Sequence, residues 1–255
     1  MRFQPSVMGR AIVRSPAFAV VALAVVWLVA VPALHIGPRH LPALPVVVKD
    51  GLSVWPDLLA SLWRTLIETV IGFAAGAAFG VASGVAFAHL RILERAVFPI
   101  FVALQTVPII AFGAIVVIWF GNTIIAKVVI AFYLTFFPVA VNTLHGLRDA
   151  DPRRIELMTS FGASRWQIFW KFSLPSALPT IMTGLKVGIS LSLAGAIVGE
   201  WFGDTVGLGV MLLQALYFEQ IPRIWVLIVV CGALGATLYG LLAAVERRFV
   251  WWRPD

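Results

Sequence analysis

Charged residues and cysteines are scarce in this 255-residue sequence. Only 12% of the residues are Asp, Glu, Lys or Arg, whereas 61% are hydrophobic. A soluble domain of this length cannot bury so much apolar surface, so the composition predicts an integral membrane protein. The single cysteine, Cys231, lies inside an apolar run, which excludes a disulfide framework and a cysteine-based metal site. We expect it to act only as a small hydrophobic residue.

Enzyme signatures are also missing. The sequence has no HExxH or GxSxG motif and no paired aspartates within an apolar stretch. It has no GxxxxGK[ST] loop either, so the chain cannot bind ATP in that way itself. These absences predict a chain that is not an enzyme, that has no catalytic residue, and that binds no metal or cofactor.

The net charge of +7 has two readings, nucleic-acid binding and membrane topology. Ten Trp, eighteen Phe and long apolar runs favour the second. We therefore expect contact with membrane lipids and no nucleic-acid partner.

Hydropathy predicts one all-α membrane domain, residues 1–255, with six transmembrane helices. The predicted spans are residues 15–34, 62–88, 97–119, 123–144, 174–200 and 224–245. Arginines before the first span resemble a signal peptide, but its length favours an uncleaved helix. Placing both termini in the cytoplasm puts 13 of the 19 basic residues inside, as the positive-inside rule requires.

Two longer segments are predicted on the outer side. The first, residues 35–56, contains four prolines and predicts an extended loop. The second, residues 201–222, begins with glycines and continues with an apolar stretch at 210–218, which predicts a turn followed by a short interfacial helix.

The second span carries glycines at an unbroken four-residue spacing: Gly72, Gly76, Gly80 and Gly84. Residues four apart share one face of a helix, so this ladder lets another helix approach closely. Packing inside one bundle and packing between two subunits both fit the pattern.

Charge is costly within a span, and three of the charged residues in the predicted spans are candidates for a role in a pathway. Glu68 and Glu200 lie towards the outer ends of their spans, and we expect both to reach water or the interface. Lys186 is deeper, and either faces a central pathway or pairs with a carboxylate.

The third span contains Gln105, Thr106 and Pro108. Proline removes a backbone donor, and the polar side chains are at membrane depth, so the sequence predicts an irregular helix that faces protein or water. A packing kink and a gate explain this pattern equally well.

Residues 145–173 form a loop too long to be a simple connection. Asp149 and Asp151 can cap a helix that has Pro152 in its first turn, and Phe161-Gly162 ends that helix. The apolar stretch that follows returns to the membrane. Two short helices around a glycine turn predict a protruding structure suited to docking.

The spacing in this loop resembles that of the permease subunits of binding-protein-dependent ABC importers. Their signature reads EAA, three residues, Gly, nine residues, Ile, one residue, Leu-Pro. Here Glu156-Leu157-Met158 stands in the EAA place, Gly162 follows three residues later, and Phe172 precedes Leu174-Pro175 by one residue. Leu157, Met158 and Phe172 depart from the usual residues, which puts the choice of partner in doubt.

Further segments resemble the sulfonate, taurine and nitrate branch of that family, namely Val107-Pro108, Trp119-Phe120-Gly121, Phe137-Pro138, Asn142-Thr143 and Gly207-Leu208-Gly209. The resemblance implies the fold of a type I importer permease in the bacterial inner membrane. It also implies two ATPase subunits that bind ATP and Mg, a second permease subunit that forms a homodimer with this chain, an external substrate-binding protein and a small-molecule substrate.

In such a permease, residues 145–173 are the coupling loop, the segment that docks on the ATPase. The resemblance gives Glu156 and Gly162 the role of shaping this loop, and Leu157, Met158 and Phe161 the role of touching the ATPase. Pathway residues are expected in spans three to five. The candidates are Gln105, Thr106, Pro108, Asn142, Lys186 and Ser190, and Lys186 mildly favours an anion.

Two other classes of function stay open at this stage. An ATPase-independent channel or secondary transporter predicts buried charge pairs or inverted repeats, and apart from Lys186 the sequence offers neither. A membrane scaffold subunit, in which the loop only serves assembly, is the second. Substrate identity lies beyond the sequence.

Overall fold

A computed structural model describes residues 16–252, in which every regular element is helical. In chain order the helices are α1 (Pro16–Ala33), α2 (Leu44–Ser53), α3 (Trp55–His89), α4 (Arg91–Gln105), α5 (Ile109–Phe120), α6 (Ile124–Arg148), α7 (Pro152–Ser160), α8 (Arg165–Ile168), α9 (Leu174–Glu200), α10 (Leu208–Tyr217) and α11 (Ile221–Phe249). A π-helical turn, Phe169–Ser173, joins α8 to α9, so the chain is helical from residue 165 to residue 200.

Helix α6 lies at the centre, between α3 and α9. The four glycines of α3 face Ala131, Thr135, Val139 and Thr143, which are also four residues apart. A Cβ atom at Gly72 would lie 2.4 Å from Ala131 Cβ, and one at Gly76 would lie 2.6 Å from Thr135 Cβ. The ladder therefore packs within the bundle of one chain, and no side chain other than hydrogen fits between the two backbones.

Helix α9 covers the other side of α6 with a second set of glycines. A Cβ atom at Gly184 would lie 2.7 Å from Asn142 Cβ, and one at Gly195 would lie 2.9 Å from Ala131 Cα. Because the contact surfaces are backbone and small side chains, the three helices form a closely packed slab.

Among the described residues, four helices are long and apolar enough to cross a membrane: α3, α6, the continuous helix of residues 165–200, and α11. The pair α4 and α5 adds a fifth if the two count as one span. The first predicted span corresponds to α1, an apolar helix of 18 residues. Four of the six predicted spans therefore meet this criterion among the described residues, or five if α4 and α5 count as one span.

The irregular helix predicted at residues 97–119 is observed as two helices with a break between them. Helix α4 ends at Gln105, α5 begins at Ile109, and their axes differ by 100°. Pro108 has no N–H and stands at the N-cap of α5, and the amide of Val107 bonds to Leu104 O as α4 tightens before the break. A sharp bend between two half-helices replaces the expected kink.

Residues 35–56 also differ from prediction, because they contain a helix. Helix α2 has Pro45 in its first turn, where a missing N–H costs no hydrogen bond. Pro56 occupies the first turn of α3 in the same way, so α3 starts seven residues before the predicted span. The prolines therefore mark helix starts here.

Candidate functional site

The coupling loop begins where α6 ends. Asp149 is the C-cap of α6, and Asp151 is the N-cap of α7, with Asp151 Oδ1 accepting a hydrogen bond from Arg153 N at 3.0 Å. An ion pair between Arg148 and Glu94 ties the end of α6 to α4. Of the two aspartates that the sequence offered as caps for α7, the structure uses Asp151.

A glycine in a left-handed conformation ends α7. Gly162 has φ of +79°, and its amide donates to Thr159 O at 2.9 Å while the next amide, of Ala163, donates to Met158 O at 3.0 Å. Residues with a Cβ atom pay for this conformation, whereas glycine does not. Ser164 and Gln167 then form a capping box that starts the next helix. A few adjacent residues are therefore sufficient to specify this turn.

The second helix of the coupling loop is not a separate element. Helix α8 continues through the π turn into α9, which begins at Leu174-Pro175. Pro175 cannot donate to the carbonyl of Lys171, and its ring would crowd that oxygen, which the wider turn relieves. The loop is thus mechanically continuous with a spanning helix.

Helix α7 has no buried residue and presents apolar side chains to solvent. Phe161 is 82% exposed and Leu157 is 57% exposed, Glu156 is exposed beside them, and Met158 is half-buried. Exposed large apolar residues on a charged segment outside the apolar spans are typical of a protein-binding surface. Behind α7 a cavity of about 460 Å³ separates it from the bundle, lined in part by His89, Ile155 and Phe169.

The six predicted pathway residues are spread over three helices, α4, α6 and α9, and the α4–α5 break. Thr106 and Pro108 are exposed at that break, and Ser190 is exposed on α9. Gln105 Nε2 donates to Tyr133 O at 3.5 Å, and Asn142 Nδ2 donates to Pro138 O at 2.8 Å. The structure therefore directs these two amides to backbone carbonyls of α6.

One face of α9 is open in the single chain. Thr183, Val187, Ser190 and Ala194 are exposed along it, while the glycines on the opposite face are buried against α6. The hydroxyls bond within the helix, Thr183 to Pro179 O and Ser190 to Lys186 O. This face carries no charge and is the best-defined candidate surface for a solute pathway.

Lys186 pairs with a carboxylate, which is one of the two alternatives that the sequence left open. Its Nζ lies 2.6 Å from Glu246 Oε2 and 5.8 Å from the centroid of the Tyr239 ring. The ion pair ties α9 to α11. A paired lysine of this kind is no reason to expect an anionic substrate.

The expectation for Glu68 and Glu200 was wrong, because both are buried, with exposed fractions of 0% and 1%. They belong to a group that we call the buried charge cluster, which lies at the end of α9 opposite to the coupling loop and comprises Arg64, Thr65, Glu68, Lys127, Glu200 and Asp204. Glu68 Oε1 accepts from Arg64 Nε at 2.8 Å, and Lys127 Nζ lies 3.0 Å from Asp204 Oδ2. Burial raises the pKa of Asp204, but the Lys127 ammonium, the Thr205 amide and the Arg64 guanidinium together outweigh burial and lower that pKa below its ordinary value.

Sequence reasoning did not find this cluster because its members come from three distant parts of the chain. Arg64, Lys127 and Asp204 each look like an isolated charge at the end of a span. The signal in the sequence was the number of charged residues near the ends of the spans, because apolar spans rarely contain several charges unless the charges are paired.

Comparison with known proteins places this architecture in a family. Residues 76–251 match the family described as binding-protein-dependent transport system inner membrane component. The formylaminopyrimidine transport permease protein ThiX of Halalkalibacterium halodurans is 33% identical over 84% of this chain and 77% of its own length. The taurine transport system permease protein TauC of Escherichia coli is 31% identical over 92% of this chain and 88% of its own length.

Among solved structures, an inward-facing conformation of the MetNI methionine ABC transporter contains a chain with the same fold. The TM-score is 0.67, with 21% identity over 77% of this chain and 98% of that chain. The resemblance seen in the sequence is confirmed, including its sulfonate and taurine branch. The chain belongs to the family of inner membrane components of binding-protein-dependent transport systems, the permeases of ABC importers.

Proposed function

We propose that this chain forms, with a second permease subunit, the translocation pathway of an ATP-driven importer for a small solute. Two ATPase subunits would bind ATP and Mg, and an external binding protein would deliver the solute. The observation that carries the proposal is the coupling loop, where exposed apolar residues stand at the end of a helix that runs on through the bundle. A second copy of this chain is the simplest partner subunit.

The charge distribution supports an orientation with the coupling loop in the cytoplasm. Both predicted termini and the loop then lie on the side that holds 13 of the 19 basic residues. The ATPase would meet the loop there. The buried charge cluster and α10 would lie at the outer side, where the binding protein arrives.

The proposed mechanism is alternating access. ATP binding draws the two ATPase subunits together, and the attached coupling loops follow. Each α9 moves with its loop because residues 165–173 of the loop continue into α9 as one helix. The open faces of α9 from two subunits would line the pathway. Thr106 and Pro108, exposed at the 100° break, are placed where a change of bend would alter its width.

For the substrate we propose a small organic solute recognised by hydroxyl and amide groups. Among the described residues the open face of α9 offers Thr183 and Ser190 but no cation. Permeases similar to this chain are named for a formylaminopyrimidine and for taurine, so both uncharged heterocycles and zwitterionic sulfonates are candidates. Thermal-shift screening of the cognate binding protein with taurine, alkanesulfonates, nitrate and pyrimidine precursors would identify the class.

The test of the proposed function is disruption of the loop surface. Phe161→Glu adds a charge to an apolar contact, so we expect the ATPase to be lost on purification and uptake to fall at least tenfold, with an unchanged unfolding temperature. Phe161→Leu is the control, because it keeps this 82% exposed position apolar. A wild-type protein that purifies without any ATPase, or a Phe161→Glu protein with normal uptake, would contradict the proposal in favour of a channel or scaffold.

A further inference from the structure

The end of α9 opposite to the coupling loop holds the start of α10. Glu200 is the last residue of α9, and its carboxylate is buried. Glu200 Oε2 accepts a hydrogen bond from Gly209 N at 2.6 Å, and Glu200 Oε1 accepts one from Thr65 Oγ1 at 2.5 Å. The carboxylate thus joins α9 to α10 and to α3.

Thr65 completes this connection from α3. Its Oγ1 accepts a hydrogen bond from Leu208 N at 3.0 Å, and its side chain is fully buried. The first amides of a helix have no partner within the helix, and a negative group is favourable at that end. Side chains of two other helices therefore supply the cap of α10, which its own N-cap residue, Gly207, cannot provide.

Packing leaves no space at this contact. A Cβ atom at Gly207 would lie 2.3 Å from Glu200 Cδ, and one at Gly209 would lie 2.3 Å from Ile197 O. Gly207 has φ of +156°, at the edge of the region that favours glycine. Helix α10 is consequently held against the end of α9 by backbone contact as well as by hydrogen bonds.

The remaining charges of the cluster hold the turn between α9 and α10. Asp204 lies in that turn and contacts Lys127 of α6, and Arg64 Nη2 of α3 is 3.8 Å from the same carboxylate. Asn122 also donates to Gly203 O. Burying a charge is expensive unless an opposite charge is paired with it. Here the paired charges join the turn to α3 and α6.

The far end of α10 is exposed. Tyr217 is 83% exposed and Phe218 is 66% exposed, with their rings 5.4 Å apart. One continuous helix, residues 165–200, therefore carries the coupling loop at one end and an exposed aromatic pair, through α10, at the other.

We propose that Thr65 and Glu200 are positioning residues that make α10 and α9 move together, so that the outer surface at Tyr217-Phe218 reports the state of the coupling loop. The inference rests on the proposed function, since it requires an ATPase at the loop. Its specific content is that the Thr65 hydroxyl and the Glu200 carboxylate transmit the movement, rather than only stabilising the fold.

Hydrogen exchange in the assembled importer tests this directly, with Mg-ATP and orthovanadate as probes. In the wild-type complex we expect vanadate trapping to change amide exchange of the peptide spanning residues 204–218 by at least threefold. In Thr65→Val, which removes the hydroxyl but keeps the shape, that difference should disappear while the basal ATPase rate stays within twofold of wild type. Thr65→Ser should restore it.

A purely structural role predicts a different result. Thr65→Val would then speed exchange equally with and without vanadate and leave their ratio unchanged, which would overturn the inference. Thr237→Val is the matched control, since Thr237 is an exposed threonine of α11 that bonds to Ala233 O in its own helix. If Thr65→Val does not assemble, the wild-type measurement decides, because an unchanged exchange rate in residues 204–218 also overturns the inference.

The two proposals can fail separately. Absence of a co-purifying ATPase would contradict the proposed function itself. An importer that hydrolyses ATP and transports, but shows no vanadate response at α10, would contradict only the role of Thr65 and Glu200.

Discussion

The coupling loop and the buried charge cluster are both rich in charge, yet their charges lie in opposite environments. In the loop, Glu156 and Arg154 stand in solvent, and apolar residues are exposed beside them. In the cluster, Lys127 and Glu200 are buried and contact other charged or polar groups. The first arrangement leaves a surface for another protein, whereas the second orders the chain itself.

This difference has an energetic consequence. An exposed charge loses little when its neighbour is removed, because water and salt screen it. A buried charge that loses its partner remains desolvated, which is costly. Removing a charge from the cluster, from the α9–α11 ion pair and from the coupling loop should therefore lower stability by successively smaller amounts. The losses of uptake should not follow that order.

The largest effect is expected in the cluster. Lys127→Met should lower the free energy of unfolding by about 3–5 kcal/mol, because it leaves Asp204 mostly buried and without its nearest cation. Thermal unfolding in detergent measures this. The double variant Lys127→Met with Asp204→Leu should recover part of the loss, and a double variant as unstable as the single one would contradict the pairing.

An intermediate effect is expected between α9 and α11. Lys186 and Glu246 are each 13% exposed, so Lys186→Met should cost about 1–3 kcal/mol by removing a charge-assisted hydrogen bond. The same unfolding measurement applies, with Lys49→Met in α2 as a control. If Lys186→Met instead abolished uptake at unchanged stability, a direct role of Lys186 in the pathway would have to be restored.

The smallest effect on stability is expected in the coupling loop. Glu156→Lys should change the free energy of unfolding by no more than about 0.5 kcal/mol, since Glu156 is exposed. Uptake should nevertheless fall severalfold, because the reversed charge lies on the surface that we propose docks on the ATPase. Glu156→Asp, which keeps the charge at this position, serves as the control, and normal uptake by Glu156→Lys would argue against docking at α7.

Local patterns predicted local structure well. The short outer helix expected at 210–218 is α10, and the glycine that stops α7 is Gly162, which has the positive φ that favours glycine. These features depend on a few adjacent residues, such as a proline at a helix start or a residue without Cβ at a turn. Helix existence in long apolar stretches was predictable for the same reason.

Features that depend on distant contacts were missed. The break between α4 and α5 reaches 100°, which proline and two polar residues do not specify. The burial of Glu68 could not be read from its position near the end of a hydrophobic stretch, because α3 starts earlier than hydropathy suggests and α9 and α10 cover it. The angle of the break and the burial of Glu68 both depend on how the helices align with one another in the tertiary structure.

Composition and hydropathy alone determined that the chain enters a membrane, and the spacing from Glu156 to Pro175 determined its family, because both properties are carried by residues close in sequence. Only the tertiary structure decided that the glycine ladder packs on α6, that Lys186 is paired, and that Glu200 caps α10. The physical reason is that a side chain's charge is set by its chemistry, whereas its burial and its partner are set by helices that meet from distant parts of the chain.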